Sequence, residues 1–276
     1  MEREKMLDEI QKMELDQIMD LLHQFGCEYD VDTIVEKLSN TWNDLSVNDE
    51  IFNTFEIKEE VNGMSCDFVD EAIYEIMTRF AKFDFMHYGV FSNQVSELAD
   101  LMMDEEGKVE RLRELFQAFF KMCKKFKCNQ FEGMIYQVND GLDLYSVVVD
   151  YLDQCMEMGR MKDRKYYQYI LDFVERFRKQ FPVISPFLDF NLSCEQAQVL
   201  VALKNPKGEK MFLDLLKNHH DFTEAVFHYA LAYIDDQPSK ALRILRKYEK
   251  DIQKESESYE LYQQVIADLQ SEVSKS

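Results

Sequence analysis

Residues 108–125 read KVERLRELFQAFFKMCKK, and this stretch decides the fold class. Its apolar residues recur at steps of three and four, the spacing that places side chains on one face of an α-helix. Several lysines follow near the end of the stretch, where positive charge complements the helix dipole. The stretch therefore predicts an amphipathic α-helix. The apolar face consists of Val109, Leu112, Leu115, Phe116, Phe119, Phe120 and Cys123.

The same periodicity continues through most of the 276 residues. The chain contains only 8 Gly and 4 Pro, so the frequent turns that an all-β chain needs are missing. Pro182 and Pro186 bracket one short connection, while Pro206 and Pro238 each follow a break in the pattern. We therefore predict an all-α fold of antiparallel helix hairpins.

The predicted location is cytoplasmic. Charges interrupt every apolar stretch near the N-terminus, which excludes a secretory signal there. No window approaches the roughly 18–20 uninterrupted apolar residues of a membrane span. The six cysteines lie scattered, mostly among apolar neighbours, as reduced cysteines do. We expect a soluble, intracellular protein.

Acidic residues are concentrated in the first part of the chain. Residues 1–106 hold 27 Asp or Glu against 7 Lys or Arg, whereas residues 107–276 hold 26 against 25. Most of the formal charge of −21 therefore belongs to the first part. We predict a strongly acidic helical region at 1–106 and a helical-hairpin, repeat-like region at 107–276, joined near Gly107. Whether these are separate domains or one continuous helical stack stays open.

In the acidic region, the spacing predicts one long amphipathic helix over residues 2–25, ended by Gly26 in a left-handed conformation. A second helix is expected to run from Val31 to Leu45 and fold back on the first. Residues 46–65 leave two alternatives open. The Asn62-Gly63 pair is a turn signal for a short β-hairpin, but the glutamates before it disfavour strands.

In the second region, amphipathic stretches at 146–158 and 165–181 predict an antiparallel helix hairpin. Ser193 followed by Gln196 matches a capping box, so we expect a helix to begin at Cys194. Asp221 with Glu224 gives an acidic version of the same start signal for the next apolar stretch.

A short C-terminal segment resembles one tetratricopeptide hairpin. Its motif is ALAY at 230–233, a short polar turn, then KAL at 240–242 and Leu245, where small residues let two helices pack closely. The resemblance covers about residues 222–250. The Tyr233 to Ala241 spacing is one residue short, and the Trp-x-x-Leu-Gly start is absent. The resemblance implies an α-solenoid in the C-terminal part, with a groove that binds peptides or partner helices.

No constellation of residues in the sequence points to a reaction. We find no Gly-rich phosphate loop, nucleophile elbow or calcium loop. His220, Glu224 and His228 would share one face of a continuous helix and hold a metal, but the start signal at Asp221 places His219 and His220 before the helix. We therefore predict no catalytic residue, no cofactor and no metal site.

The leading hypothesis is a non-catalytic protein-protein interaction module, a helical-repeat scaffold or adaptor that binds another protein or peptide. An alternative is an acidic inhibitor or nucleic-acid mimic, in which residues 1–106 bind a basic protein surface. A third is an enzyme of unrecognised type. We expect no contact with a membrane or directly with nucleic acid. The residues predicted to bind a partner are Tyr166, Tyr169, Tyr229, Tyr233, Arg243 and Lys247.

Overall fold

The structure, a computed structural model, describes residues 3–42, 45–80, 88–100, 105–132, 143–218, 222–252 and 259–273. These residues form fourteen α-helices and one short β-hairpin, so the all-α prediction is confirmed. None of the helices in the described ranges is both long and apolar enough to cross a membrane. The helices are α1 (Arg3–Lys12), α2 (Leu15–Phe25), α3 (Val31–Ser39), α4 (Leu45–Thr54), α5 (Asp67–Phe80), α6 (Tyr88–Asp100), α7 (Glu105–Lys125), α8 (Leu144–Met161), α9 (Lys165–Gln180), α10 (Pro186–Ala202), α11 (Pro206–Asn218), α12 (Phe222–Leu231), α13 (Pro238–Tyr248) and α14 (Tyr259–Val273).

The chain divides into two compact units. Unit 1 comprises Met1–Asn129 and Tyr136–Leu142, and unit 2 comprises Gln130–Ile135 and Asp143–Ser276. Gly107, where the charge pattern changes, lies inside helix α7. The change in charge along the sequence therefore does not coincide with the division between the two units.

Unit 1 is organised around α5. Helices α1, α2, α3 and α4 all pack against it, and its apolar face is fully buried from Phe68 to Met77. The rings of Phe25 and Phe68 stack with centroids 5.4 Å apart. Helix α5 is thus the centre of this core.

The predicted single helix over residues 2–25 is wrong, because the chain breaks between α1 and α2. The backbone N–H of Glu14 donates to the Gln17 side-chain oxygen at 2.9 Å, which starts α2. The Arg79 guanidinium donates to three carbonyls at the end of α1, those of Ile10, Gln11 and Met13, at 3.3, 3.3 and 2.8 Å. Donors supplied by α5 thus replace the hydrogen bonds of a continuous helix.

The predicted end of α2 is confirmed. Gly26 has φ +110°, and its N–H donates to the carbonyls of Leu22 and His23. A Cβ atom here would lie 2.8 Å from the carbonyl oxygen of Glu56, so both the backbone angle and the neighbouring chain require glycine.

The second predicted helix also ends early, at Ser39 instead of Leu45. The hydroxyl of Ser39 and the amide of Asn40 both donate to the carbonyl of Glu36, at 2.7 and 3.0 Å. Side chains of this kind compete with the helical backbone for its last carbonyls. Helix α4 then begins at Leu45.

The alternatives for residues 46–65 are resolved into a helix followed by a hairpin. Residues 46–54 belong to α4, and β1 (Glu60–Val61) pairs antiparallel with β2 (Met64–Ser65). Asn62 and Gly63 between them have φ +53° and +81°. Two positive angles at a two-residue turn match the right-handed twist of paired strands, which is why Asn-Gly occurs there.

In unit 2 the predicted helix pair is present as α8 and α9, which pack together through rings such as Tyr151 and Phe173, 5.3 Å apart. Phe131 and Glu132, which precede α8 in the sequence, belong to the same unit. Phe131 is buried against Phe177, with ring centroids 4.9 Å apart, and the Glu132 carboxylate accepts a hydrogen bond from the N–H of Ser185 at 2.5 Å.

The helix start predicted at Cys194 is wrong. Helix α10 begins at Pro186 with Ser185 as its cap, and Ser193 lies in its middle. The Ser193 hydroxyl donates to the carbonyl of Asp189 at 2.7 Å and accepts from Arg178 at 2.6 Å. Its hydrogen bonds are therefore satisfied inside a helix, and no cap is needed.

Helices α12 and α13 pack together in the segment that resembles a tetratricopeptide hairpin, with Ala230 and Ala241 buried. Asp221, the predicted cap of α12, lies outside the described residues. The helix itself begins at Phe222. Assignment to a repeat family stays a prediction.

Helices α10 and α11 approach each other closely at Gly208. A Cβ atom on Gly208 would lie 2.7 Å from the Ala197 carbonyl oxygen and 2.7 Å from the Val201 nitrogen, both backbone atoms. We expect Gly208→Ala to lower the free energy of unfolding by about 2 kcal/mol in urea titrations, because this clash outweighs alanine's helix preference of about 1 kcal/mol. The exposed neighbour Lys207 provides the control, and Lys207→Ala should change stability little. Equal stabilities of the two variants would show that the helices can separate at no cost.

Candidate functional site

Unit 2 contains a cavity of about 700 Å³ that we call the recess. Helices α8, α10 and α12 form most of its walls. The remaining walls are the connection between α8 and α9, the first turn of α9, and the turn that follows α12. Charged and polar side chains converge on it from all of these elements. Among these side chains are Asp153, Arg160, Glu195, Gln198, His228 and Asp235.

Helical spacing explains why these residues meet. On α8, Asp153, Glu157 and Arg160 follow each other at steps of four and three, so they share one face. On α10, Glu195 and Gln198 are three residues apart and also share a face. Both are buried, whereas the other polar residues of α10, Asp189, Asn191, Ser193 and Gln196, are only partly buried.

Gln198 joins three elements of the recess by hydrogen bonds. Its side-chain nitrogen lies 3.0 Å from Glu195 Oε1 and 3.0 Å from His228 Nδ1, while its oxygen accepts from Arg160 at 3.4 Å. Since both amide hydrogens are donated, His228 Nδ1 accepts, and the ring carries its hydrogen on Nε2. Gln198 is itself 4% exposed, so this network fixes the floor of the recess.

Arg160 is the cation held inside the recess. Besides Gln198 it contacts the carboxylate of Asp235 at 3.4 Å, after the end of α12. About a third of the Arg160 side chain is exposed, so solvent weakens this ion pair. The contact orients the guanidinium across the recess more than it stabilises the fold.

Glu195 is the unusual group. The residue is only 7% exposed, and its Oε2 is a buried oxygen with no hydrogen-bond partner among the described residues. Its pKa is raised to about 8, first because burial desolvates the carboxylate and then because the Asp153 carboxylate is near, while Arg160 opposes the change. At neutral pH Glu195, which lines the recess, is therefore mostly protonated.

Asp153, at the exposed rim, also has a raised pKa, first because surrounding protein atoms desolvate it and then because Asp150 adds a second negative charge. Two carboxyl groups with raised pKa values in one cavity are a recognised mark of a functional site. The same rim carries Met161, whose side chain is 71% exposed.

Four of the six residues predicted to bind a partner are tyrosines, and the structure places three of them in the core. Tyr166, Tyr229 and Tyr233 are buried, and Tyr169 is half-buried with its ring 5.3 Å from that of Tyr166. None of the four lines the recess.

Tyr229 and Tyr233 belong to an internal network. The Tyr229 hydroxyl donates to Glu209 at 2.8 Å, and Lys240 donates to the same carboxylate at 3.1 Å. The Lys240 ammonium lies 3.9 Å from the centroid of the Tyr233 ring. These two hydrogen bonds hold the pKa of Glu209 below its usual value, and together the contacts connect α11, α12 and α13.

The other two predicted partner-binding residues, Arg243 and Lys247, are exposed on α13. Lys247 places its ammonium 4.7 Å from the centroid of the Tyr248 ring. The structure therefore does not bring the six residues together into one site, and no residue of the set reaches the recess.

The sequence does contain one signal for the recess that the sequence analysis missed. Glu195 and Gln198 are polar residues three apart, and the apolar residues Cys194, Ala197 and Val199 lie beside them, a pattern that indicates a buried polar pair. Because Ser193 was interpreted as a helix cap, Glu195 was placed in a first turn, where an acidic residue is ordinary. In the observed helix it lies in the interior.

Within the described ranges, no group of three or more His, Cys, Asp or Glu residues is placed to hold a metal ion. His219 and His220, considered above as ligands, lie outside those ranges. Comparison with known proteins found no matching family model, no matching curated protein and no matching solved structure.

Proposed function

We propose that this protein is a non-catalytic interaction module of the cytoplasm, and that the recess of unit 2 receives a side chain from a segment of a partner protein. The observation that carries the proposal is the recess itself, a polar cavity with an unpartnered buried oxygen at Glu195 and an exposed methionine at its rim. The proposed binding needs no cofactor.

Two properties of the recess support a protein partner. Its volume falls within the range of about 300–1,000 Å³ that is typical of binding sites for small groups. Met161 beside it presents apolar surface to solvent, which favours contact with a larger partner extending beyond the cavity. The segment of α12 and α13, whose sequence resembles a tetratricopeptide hairpin and whose two helices pack together, supports a peptide-binding scaffold.

Filling the recess tests this proposal. Ala232 lines the cavity and is half-buried, so Ala232→Trp should occupy part of its volume. Ala267, exposed on α14 and away from the recess, provides the matched control Ala267→Trp. In affinity capture from the native host, we expect Ala232→Trp, the blocked variant, to lose at least about 90% of the bound partner. This loss is equivalent to about 1.4 kcal/mol of binding free energy. Equal capture by all three proteins would contradict the proposal.

The acidic region gives the second candidate function, an inhibitor or nucleic-acid mimic that binds a basic protein surface. Exposed carboxylates on α2 and α3, among them Asp16, Asp20, Asp32 and Glu36, favour it. The same capture experiment separates the two functions. A partner of the acidic surface should be lost at high salt and should be indifferent to Ala232→Trp, because exposed charges are screened by salt.

An enzyme, the third hypothesis, has one observation in its favour. Glu195, protonated at neutral pH in a cavity, has the property required of a general acid. In the proposed module the proton of Glu195 takes part in binding and not in catalysis.

A further inference from the structure

We infer that the recess binds a cationic side chain, the ammonium of lysine or the guanidinium of arginine, and that the Glu195 carboxylate is its buried ligand. This inference rests on the proposed function, since it names the chemistry of the partner group that enters the recess.

Charge complementarity is the first argument. Asp153, Glu157, Asp235 and Asp236 line the recess as carboxylates, whereas its cations are Arg160 and Arg164. His228 adds no charge, because its Nδ1 accepts a hydrogen bond from Gln198. The recess is thus net negative before Glu195 ionises, and a positive group is attracted into it.

The unpartnered oxygen is the second, independent argument. Gln198 donates to Glu195 Oε1 at 3.0 Å, which fixes the carboxyl group, and Oε2 of this recess-lining residue is buried without a hydrogen-bond partner among the described residues. A buried polar oxygen without a partner carries a desolvation cost of about 1–3 kcal/mol, and a ligand donor would remove it. Ammonium and guanidinium groups have such donors and add the favourable charge.

Arg160, although it lies in the recess, does not donate a hydrogen bond to Glu195 Oε2. Its guanidinium is held by Asp235 and by the Gln198 oxygen, each at 3.4 Å, and no hydrogen bond from it reaches Oε2 among the described contacts. The walls also suit an aliphatic stem, since Met156, Leu231 and Ala232 line the same cavity.

Binding of the cation should release a proton from Glu195. The pKa of about 8 means that the carboxyl is mostly protonated at pH 7, and a cation beside Oε2 favours the ionised form. Affinity should therefore rise with pH, by up to about tenfold per unit between pH 6 and 8. The other charged or titratable groups that line the recess with Glu195 are Asp153, Glu157 and Arg160 of α8, Arg164 before α9, Tyr167 of α9, His228 of α12, and Asp235 and Asp236.

The test uses the full chain and n-butylammonium as the probe, with 1-butanol as its neutral isostere and butyrate as an anion. Binding is followed by NMR shifts of recess residues at pH 6, 7 and 8. We expect butylammonium to bind more tightly at pH 8 than at pH 6 by at least tenfold, and more tightly than either comparison compound. Calorimetry in two buffers of different ionisation enthalpy should detect proton release.

Two variants make the test specific. In Glu195→Gln we expect at least a tenfold loss of butylammonium affinity at pH 8 and a flat pH profile. In Glu157→Gln, which removes an exposed carboxylate from the same recess, the loss should stay below about threefold. Thermal melts establish that both variants are folded. Butylammonium binding that is unchanged in Glu195→Gln, or matched by 1-butanol, would overturn the inference.

The outcome is separable from that of the proposed function. If Ala232→Trp abolishes partner capture but butylammonium does not bind, the recess is an interaction site for another kind of group, and the inference is wrong. If butylammonium binds through Glu195 but the blocked variant captures every partner, the cation site stands and the proposed function is wrong.

Discussion

Replacing Glu195 with glutamine is expected to stabilise the protein increasingly as the pH rises, by on the order of 4 kcal/mol at pH 8. The folded-state pKa of Glu195 is about 8, against an ordinary value of 4.5. Between these two values the folded protein retains a proton that the unfolded chain releases. The wild-type free energy of unfolding therefore falls with increasing pH across this window, by up to about 1.4 kcal/mol per unit, and glutamine removes this contribution.

Urea unfolding of wild type and Glu195→Gln at pH 5, 6, 7 and 8 measures this difference directly. The two proteins should have similar stability near pH 5 and diverge toward pH 8. Glu157→Gln provides the control, because Glu157 is exposed and no buried charge is involved. Parallel stability curves for wild type and Glu195→Gln would mean that Glu195 ionises normally in the folded protein.

The second large effect is expected at Arg79. Its guanidinium ties the last carbonyls of α1 to α5 and pairs with Glu75, whose side chain is 8% exposed, at 2.6 Å. Arg79→Met keeps most of the aliphatic stem but leaves a nearly buried carboxylate and three backbone carbonyls without these donors. We expect the free energy of unfolding to fall by about 3 kcal/mol.

Arg113 offers a matched control for this measurement. It lies in the same unit on α7 and pairs with Glu110 at 3.5 Å, but both side chains are about one-third exposed. Arg113→Met should cost less than about 1 kcal/mol in the same denaturation experiment. If the two arginine variants lose equal stability, the carbonyl contacts of Arg79 contribute nothing beyond an ordinary surface ion pair.

The position of α-helices could be predicted from apolar spacing, but two of their breaks could not. Apolar residues occur at helical steps on both sides of the first break, up to Met13 and again from Leu15, and Trp42 and Leu45 are three residues apart, so the spacing does not mark either break. The break after α1 depends on donors from Arg79, which is 66 residues away in sequence from Met13. Local spacing contains no information about a contact of that kind.

The hairpin at Asn62-Gly63 illustrates the opposite case. The turn signal was visible because two adjacent positive φ angles require residues such as Asn and Gly. The strands were uncertain because each has only two residues, too few for an alternating pattern. A strong turn signal therefore predicted this element better than its strand propensity did.

The recess could be predicted only in part. The polar pair on α10 is present in the sequence, but the burial of Glu195 depends on α8, α12 and the turn at Asp235 closing around it. The tyrosines chosen as partner-binding residues show the same limit. A tyrosine at helical spacing fits either a core or a binding surface, and the neighbours that bury Tyr229 come from α11 and α13.

The placement of Phe131 and Glu132 in unit 2 has a consequence for the order of synthesis. Glu132 leaves the ribosome 53 residues before Ser185, its hydrogen-bond partner, and Phe131 precedes Phe177 and Phe181 similarly. These contacts can therefore form only after α8 and α9 have been synthesised, and until then the Phe131 side chain lacks its native neighbours. A fragment that begins at Asp143 would lack both residues, so Phe177 and Phe181 would have a hole in place of an aromatic ring.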